Sequence, residues 1–140
     1  MPDDTNFIGA KLIPFIGERL LVIRRDYTKG IPWPGFLDFP GGGREQDESP
    51  EVCALRETSE EVGLTLESGD IVWRNMLERP SGRTWFFVAR LPEGAEAQIT
   101  FGDEGLGWGL MEPEEYLSRS DAIPHFRDQV AHYLATQKDA

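Results

Sequence analysis

With 140 residues, 39% of them hydrophobic, the chain has enough apolar material for the core of one domain. Its net charge of −11, from 14 Lys and Arg against 25 Asp and Glu, argues against a nucleic-acid polymer as partner, because a phosphate backbone rewards basic patches. A small phosphorylated ligand stays open, since a bound metal reverses the local sign. Cys53 is the only cysteine, so no intrachain disulfide can form; the acidic opening Met1–Asn6 lacks the apolar core of a signal peptide, and no apolar run approaches bilayer-spanning length. The expected setting is therefore a reducing cytoplasm, with no membrane partner.

The chain reads as a single domain over 1–140, with 1–6 and 137–140 expected to fray. Ile8–Ile16 and Arg19–Arg25 are predicted strands joined at Gly17-Glu18, and the continuous apolar run Leu20–Ile23 suits a strand covered on both faces. Arg24 and Arg25, at its end, are open to two readings: a solvated strand terminus or a phosphate contact. Asp26–Gly35, with Gly30, Pro32, Trp33 and Pro34, is a loop; Trp33 and Phe36 either stack on a base or cap the core. A short strand over Phe36–Phe39 then runs into Pro40 and three glycines, which let the backbone approach a ligand closely.

Ser49 as N-cap, Pro50 at the first helical position and Gly63 beyond the last turn predict a helix over 50–62. At 100° per residue, Val52, Leu55, Ser59 and Val62 share a sector expected to pack on a sheet, with Glu57, Glu60 and Glu61 on the opposite side. Like charges at this spacing repel, and a hard divalent cation, Mg²⁺ or Mn²⁺, would remove the conflict. The bland alternative is a solvated acidic face.

Beyond the helix, Ile71–Leu77 and Thr84–Leu91 are predicted strands around Arg79-Pro80-Ser81-Gly82, with the apolar Trp85–Val88 central in a sheet. Ala97–Phe101 is read as another strand, Gly102–Gly107 as an acidic glycine loop, Trp108–Met111 as the last strand. Pro113–Leu117 is a short predicted helix and Pro124–Thr136 a longer one, with Phe126, Val130, Tyr133 and Leu134 facing inward. His125 and His132 read as surface or packing residues. The order fits an α/β (α+β) sandwich of a mixed sheet between helices.

The stretch from Gly42 to Leu64 resembles the Nudix box, Gly-x5-Glu-x7-Arg-Glu-U-x-Glu-Glu-x-Gly-U with U a bulky aliphatic residue. Gly42, Glu48, Arg56, Glu57, Glu60, Glu61, Gly63 and Leu64 match at the required spacing, and Thr58 at the first U position is the one departure. The resemblance implies a Nudix-type α/β/α sandwich. It also implies Mg²⁺- or Mn²⁺-dependent hydrolysis of a pyrophosphate bond in a nucleoside diphosphate linked to another moiety. In that reading Glu57, Glu60, Glu61 and the Gly42 carbonyl hold metal, Glu57 is base or direct ligand, Arg56 orients it, and Glu48 plays a supporting part. Ile23-Arg24-Arg25, Leu37–Gly42 and Gly102–Gly105 are similar to MutT-type nucleoside triphosphate pyrophosphohydrolases. That likeness gives Glu104, or Asp103 beside it, as a late carboxylate reaching back to the metal. The small-molecule nucleotide is expected to meet Arg24, Arg25, Trp33, Phe39 and Phe126. The oxidised-guanine enzyme of that subgroup reads its base with an asparagine just before the last helix; this chain has none in that region, where Ile123–Phe126 stands instead, which weakens an oxidised-guanine substrate. A catalytically silent nucleotide-binding module would be expected to lose box carboxylates, and this chain keeps them. Isoprenoid diphosphate isomerisation fits poorly, because the chain is short and Cys53 lies inside the box.

Overall fold

The computed structural model describes residues 6–138. In chain order these form β1 (Gly9–Ile16), β2 (Arg19–Arg24), β3 (Leu37–Asp38), β4 (Gly41–Gly43), α1 (Pro50–Val62), β5 (Ile71–Arg79), β6 (Gly82–Leu91), β7 (Gly107–Met111), α2 (Pro113–Ser118) and α3 (Pro124–Lys138). Of the ends expected to fray, 1–5 and 139–140 lie outside the described residues, whereas Gln137 and Lys138 still belong to α3. No helix among the described residues is long and apolar enough to cross a membrane.

The strands form one mixed sheet in the order β3-β2-β1-β6-β5, with β4 also on β1 and β7 also on β2. β1 lies parallel to β6 along its whole length, Gly9 opposite Thr84 to Ile16 opposite Leu91. Its other edge is divided. Phe15 and Ile16 pair with β2 at the hairpin, while Gly9, Ala10 and Lys11 pair with the glycines of β4. Between those pairings β2 leaves β1 and takes β3 and β7 as partners. The sheet thus splits at one end, and the site sits in the split.

Alternation along β1 sends Ala10, Leu12 and Ile16 to a core shared with Cys53, Ala54 and Val62 of α1, and Ile13 and Phe15 to a second core with Tyr116 of α2 and Val130 and Tyr133 of α3. Helices on both faces of a mixed sheet make the α/β/α sandwich.

Three expectations need correction. Ala97–Phe101 is not a strand: Ala95–Gln98 forms a 3₁₀ turn, and the Thr100 amide instead donates to the Val62 carbonyl at 2.9 Å. The three glycines after Pro40, for which no strand was expected, form β4 in register with β1. Most consequential, α1 turns a different face to the sheet. Pro50, Cys53, Ala54, Thr58 and Val62 are buried, whereas Val52 is 52% exposed and Ser59 is open to solvent. The reason is steric. A strand of three glycines offers a flat backbone surface, and small side chains let the helix come close to it. The Cys53 sulfur lies 3.6 Å from both the Gly42 and Gly43 carbonyl oxygens. Thr58 buries its hydroxyl by donating to the Ala54 carbonyl one turn back, at 2.7 Å.

Candidate active site

The caps anticipated for α1 are present: the Ser49 hydroxyl accepts from the Val52 amide at 3.2 Å, and Gly63 closes the helix with φ of 71°. Because the helix packs through its small residues, Glu57 and Glu61 point toward the glycine strand rather than into solvent. Glu61 accepts a 2.8 Å bond from the Gly41 amide. Burial, the largest influence on it, pushes its carboxyl up to about 7, against the lowering effect of that amide. Glu57 rests against Gly42 so closely that a Cβ at that glycine would lie 2.7 Å from the carboxyl carbon.

Arg56 organises the exposed side of the cluster. Its guanidinium donates to both oxygens of Glu48, at 2.5 and 3.0 Å, to Glu57 at 3.0 Å, to Glu60 at 3.0 Å and to the Gly43 carbonyl at 3.1 Å. That two-point grip holds the Glu48 carboxyl below its ordinary range. Glu48 also accepts from the Glu45 amide at 2.9 Å, fixing the turn that leads into α1. The repulsion between Glu57 and Glu60 is therefore offset within the chain.

Glu104 comes from the loop between the 3₁₀ turn and β7, which is tied down on both sides. The Gly102 amide donates to the Glu61 carbonyl at 2.8 Å, the Leu106 amide to the Arg24 carbonyl at 2.9 Å, and the Gly105 amide to the Asp26 carboxylate at 3.2 Å. A cleft of about 360 Å³ results, with Glu61, Gly42 and Glu104 on its walls and Lys11, Arg25 and Asp38 beside them.

The expected substrate residues divide. Arg25 lines the cleft and donates to Asp38 at 2.8 Å. Arg24 does not: consecutive strand residues point to opposite faces, and its guanidinium is engaged by Asp121 and the Gly35 carbonyl, each at 2.8 Å. The Phe39 ring is core, packed on Tyr116 and Phe126. Phe126 is buried, with the Lys11 ammonium 5.5 Å above its ring. Trp33 is 36% exposed, leaning on Phe36 and close to His125. His125 packs edge-on to Phe126, and burial together with the nearby Arg79 keeps its pKa low.

Lys11 and Asp38 were missed by sequence reasoning. The available signal was a lone lysine inside the otherwise apolar strand Gly-Ala-Lys-Leu-Ile-Pro-Phe-Ile.

Among the described residues, no three His, Cys, Asp or Glu side chains are gathered into a metal cage. The donors present nevertheless suit a hard divalent cation: carboxylates of Glu57, Glu60 and Glu61 with the Gly42 carbonyl are all oxygen. The missing Cβ of Gly42, which lets the Glu57 carboxylate lie against the strand beside that carbonyl, and the desolvated carboxyl of Glu61 fit the same ion.

Carboxylates are thus set on a helix against a glycine strand, with Glu48, Glu57 and Glu60 tied together by Arg56. The family model for the NUDIX domain matches residues 7–133, and the chain belongs to that family as a Nudix hydrolase. It is 28% identical over 120 residues to an RNA pyrophosphohydrolase of Gluconobacter oxydans (strain 621H), covering 73% of this chain and 68% of that protein. It is 33% identical over 84 residues to an 8-oxo-dGTP diphosphatase of Escherichia coli (strain K12), covering 59% of this chain and 57% of the relative. In fold it is similar to the crystal structure of a MutT protein from Methanosarcina mazei Go1, with a TM-score of 0.76, 22% identity and 99% of both chains covered.

Proposed function

We propose that the chain hydrolyses a pyrophosphate bond in a nucleoside diphosphate linked to another moiety, with a nucleoside triphosphate or related nucleotide as substrate. The observation that carries this reading is the placement of Glu57 and Glu61. Both carboxylates are turned inward against Gly41 and Gly42, Glu57 fixed by Arg56 and Glu61 by a backbone amide, and Glu61 lines a cleft that also holds Gly42, Arg25 and Glu104.

Glu57, Glu60, Glu61 and the Gly42 carbonyl would hold the divalent cation, Mg²⁺ or Mn²⁺. Such an ion supplies charge neutralisation at the phosphates and a water acidic enough to be deprotonated near neutral pH. Arg56 keeps the Glu57 carboxylate oriented, so little reorganisation is needed when substrate arrives. Glu104, on its anchored loop, lines the same cleft as Glu61 and is the second candidate to receive a proton from water. Arg25 offers a cation to a phosphate oxygen. The Asp26–Phe36 loop, which contributes Asp26 and Ile31 to the cleft, contacts the remainder of the substrate.

The test is a panel of nucleoside triphosphates, nucleoside diphosphate sugars, dinucleoside polyphosphates and a short RNA with a 5′-triphosphate, assayed with Mg²⁺ and after exhaustive chelation. The expected result is release of a mononucleotide product from at least one small substrate, abolished by chelator and restored by Mg²⁺. Turnover undiminished by chelation rules the reading out.

A further inference from the structure

Lys11 is expensive where it stands. A lysine in the middle of a strand, its side chain only 15% exposed, gives up most of its hydration. Its ammonium is 3.1 Å from one oxygen of Asp38, 3.3 Å from the other, 3.2 Å from the Phe39 carbonyl and 3.4 Å from the Gly41 carbonyl. All four distances exceed the roughly 2.7–2.9 Å of a well-made charge-assisted bond. Asp38, by contrast, has short bonds without it: the Arg25 guanidinium donates to one oxygen at 2.8 Å and the Phe39 amide to the other at 2.7 Å. Neutralising Asp38 therefore does not require Lys11, and Lys11 is loosely satisfied by what surrounds it.

Lys11 is one of two cations in an otherwise acidic cleft, and so one of the two charged side chains there that can meet an anionic group. The cleft is walled by four carboxylates, those of Asp26, Asp38, Glu61 and Glu104, and its cationic lining is Lys11 and Arg25. Both cations touch the same carboxylate, so Asp38 sets the spacing between them. The Gly41 peptide, whose carbonyl faces Lys11, gives its amide to Glu61. The ammonium thus stands one residue, Gly41, from the Glu61 carboxylate assigned to the reaction.

We propose that Lys11 is a substrate-binding residue, contacting a phosphate oxygen of the nucleotide, with Asp38 as the positioning residue that holds Lys11 and Arg25 as a pair. The inference rests on the hydrolase reading above and adds a residue and a ligand group to it. A lysine is suited to the task because it is a point charge that can exchange long protein contacts for one short bond to phosphate.

The experiment measures kcat and KM on the best panel substrates, together with the Kd of inorganic tripolyphosphate in Mg²⁺. The proteins compared are wild type, Lys11→Met, Lys11→Arg, Asp38→Asn and the double variant Lys11→Met/Asp38→Asn. Lys11→Met should raise KM and the tripolyphosphate Kd by about tenfold or more while kcat moves by less than about threefold, and Lys11→Arg should recover most of the loss. The loss should be alike for every base on the panel. Unchanged tripolyphosphate binding by Lys11→Met overturns the proposal, and so does a loss that depends on the base. Should Lys11→Met fail to fold, the charge-matched double variant decides: binding equal to that of Asp38→Asn alone would show that Lys11 only balances Asp38. A wild-type protein that neither binds tripolyphosphate nor turns over any substrate removes the hydrolase reading together with this one. An active wild type with an unaffected Lys11→Met removes this one alone.

Discussion

Glu57 and Gly42 act on one another, and each gives a separable prediction. Glu57→Gln preserves size and the contact with Gly42 but removes the charge that Arg56 and a cation would share. Catalysis should fall by roughly 10²–10⁴, the scale for losing a positioned general base or an equivalent electrostatic partner. Folding should be little affected: Arg56 keeps both bonds to Glu48, and one like charge beside Glu60 disappears. The check is kcat with a thermal melt, and near-normal turnover would remove Glu57 from the reaction centre. Glu51→Gln is the control, since Glu51 faces Ser68 and Arg74, away from the cleft. Gly42→Ala tests the same geometry from the strand side. The glycine's backbone lies outside the left-handed region, so an added methyl meets only steric resistance, from the Glu57 carboxyl. We expect a folded protein with kcat reduced at least about tenfold, because small displacements of a catalytic group are costly. Full activity would mean that Glu57 reacts from another rotamer.

At the scale of elements, α1 shows how much the sequence disclosed. Its limits were legible because Ser49, Pro50 and Gly63 each perform a local backbone task that needs no knowledge of the rest of the fold. Its buried face was not. Val52 and Leu55 carry the apolar signal, yet contact with β4 selects for smallness, and Cys53, Ala54 and Thr58 are weak markers on a helical wheel. The box residues were legible as a spacing, but that spacing did not say that Glu57 and Glu61 would face inward. Lys11, Asp38 and Asp121 escaped notice because each takes a partner more than 25 residues away, Lys11 and Asp38 in one another and Asp121 in Arg24. Thr58, the departure from the box pattern, gives the prediction at this scale. Its hydroxyl bonds only back to the Ala54 carbonyl, an oxygen that the helix already supplies with a main-chain donor. Thr58→Val keeps the shape and strands no buried partner, so stability should change by less than about 1 kcal/mol, upward if anything. A loss well beyond that in urea unfolding would mean that the hydroxyl supports α1 in some further way.

Across the whole molecule, the connection between α2 and α3 is fastened to the sheet through Asp121. Its carboxylate accepts from Arg119 at 2.7 and 2.9 Å and from Arg24 of β2 at 2.8 Å, while its carbonyl accepts from the Leu37 amide of β3 at 2.7 Å. One residue thereby joins β2 and β3, neighbours on one side of the split, to the helical layer behind them. Arg119 first, then Arg24, holds the Asp121 carboxyl well below its ordinary value of 3.8. A folded-state value below the unfolded one means that ionised Asp121 stabilises the fold. That contribution is complete above the unfolded value and is lost as pH falls through the folded one. Asp121→Asn retains an acceptor but not the charge, so it should cost on the order of 1–2 kcal/mol near neutrality. The difference from wild type should stay constant from pH 7 to about pH 5 and shrink steadily below 3.8, as Asp121 in the unfolded wild-type chain takes up its proton while the folded one still resists it. Urea unfolding of both proteins at pH 7, 5 and 3 measures it. A gap as wide at pH 3 as at pH 7 would show that the shape of the Asp121 side chain, and not its charge, closes the sandwich at this end.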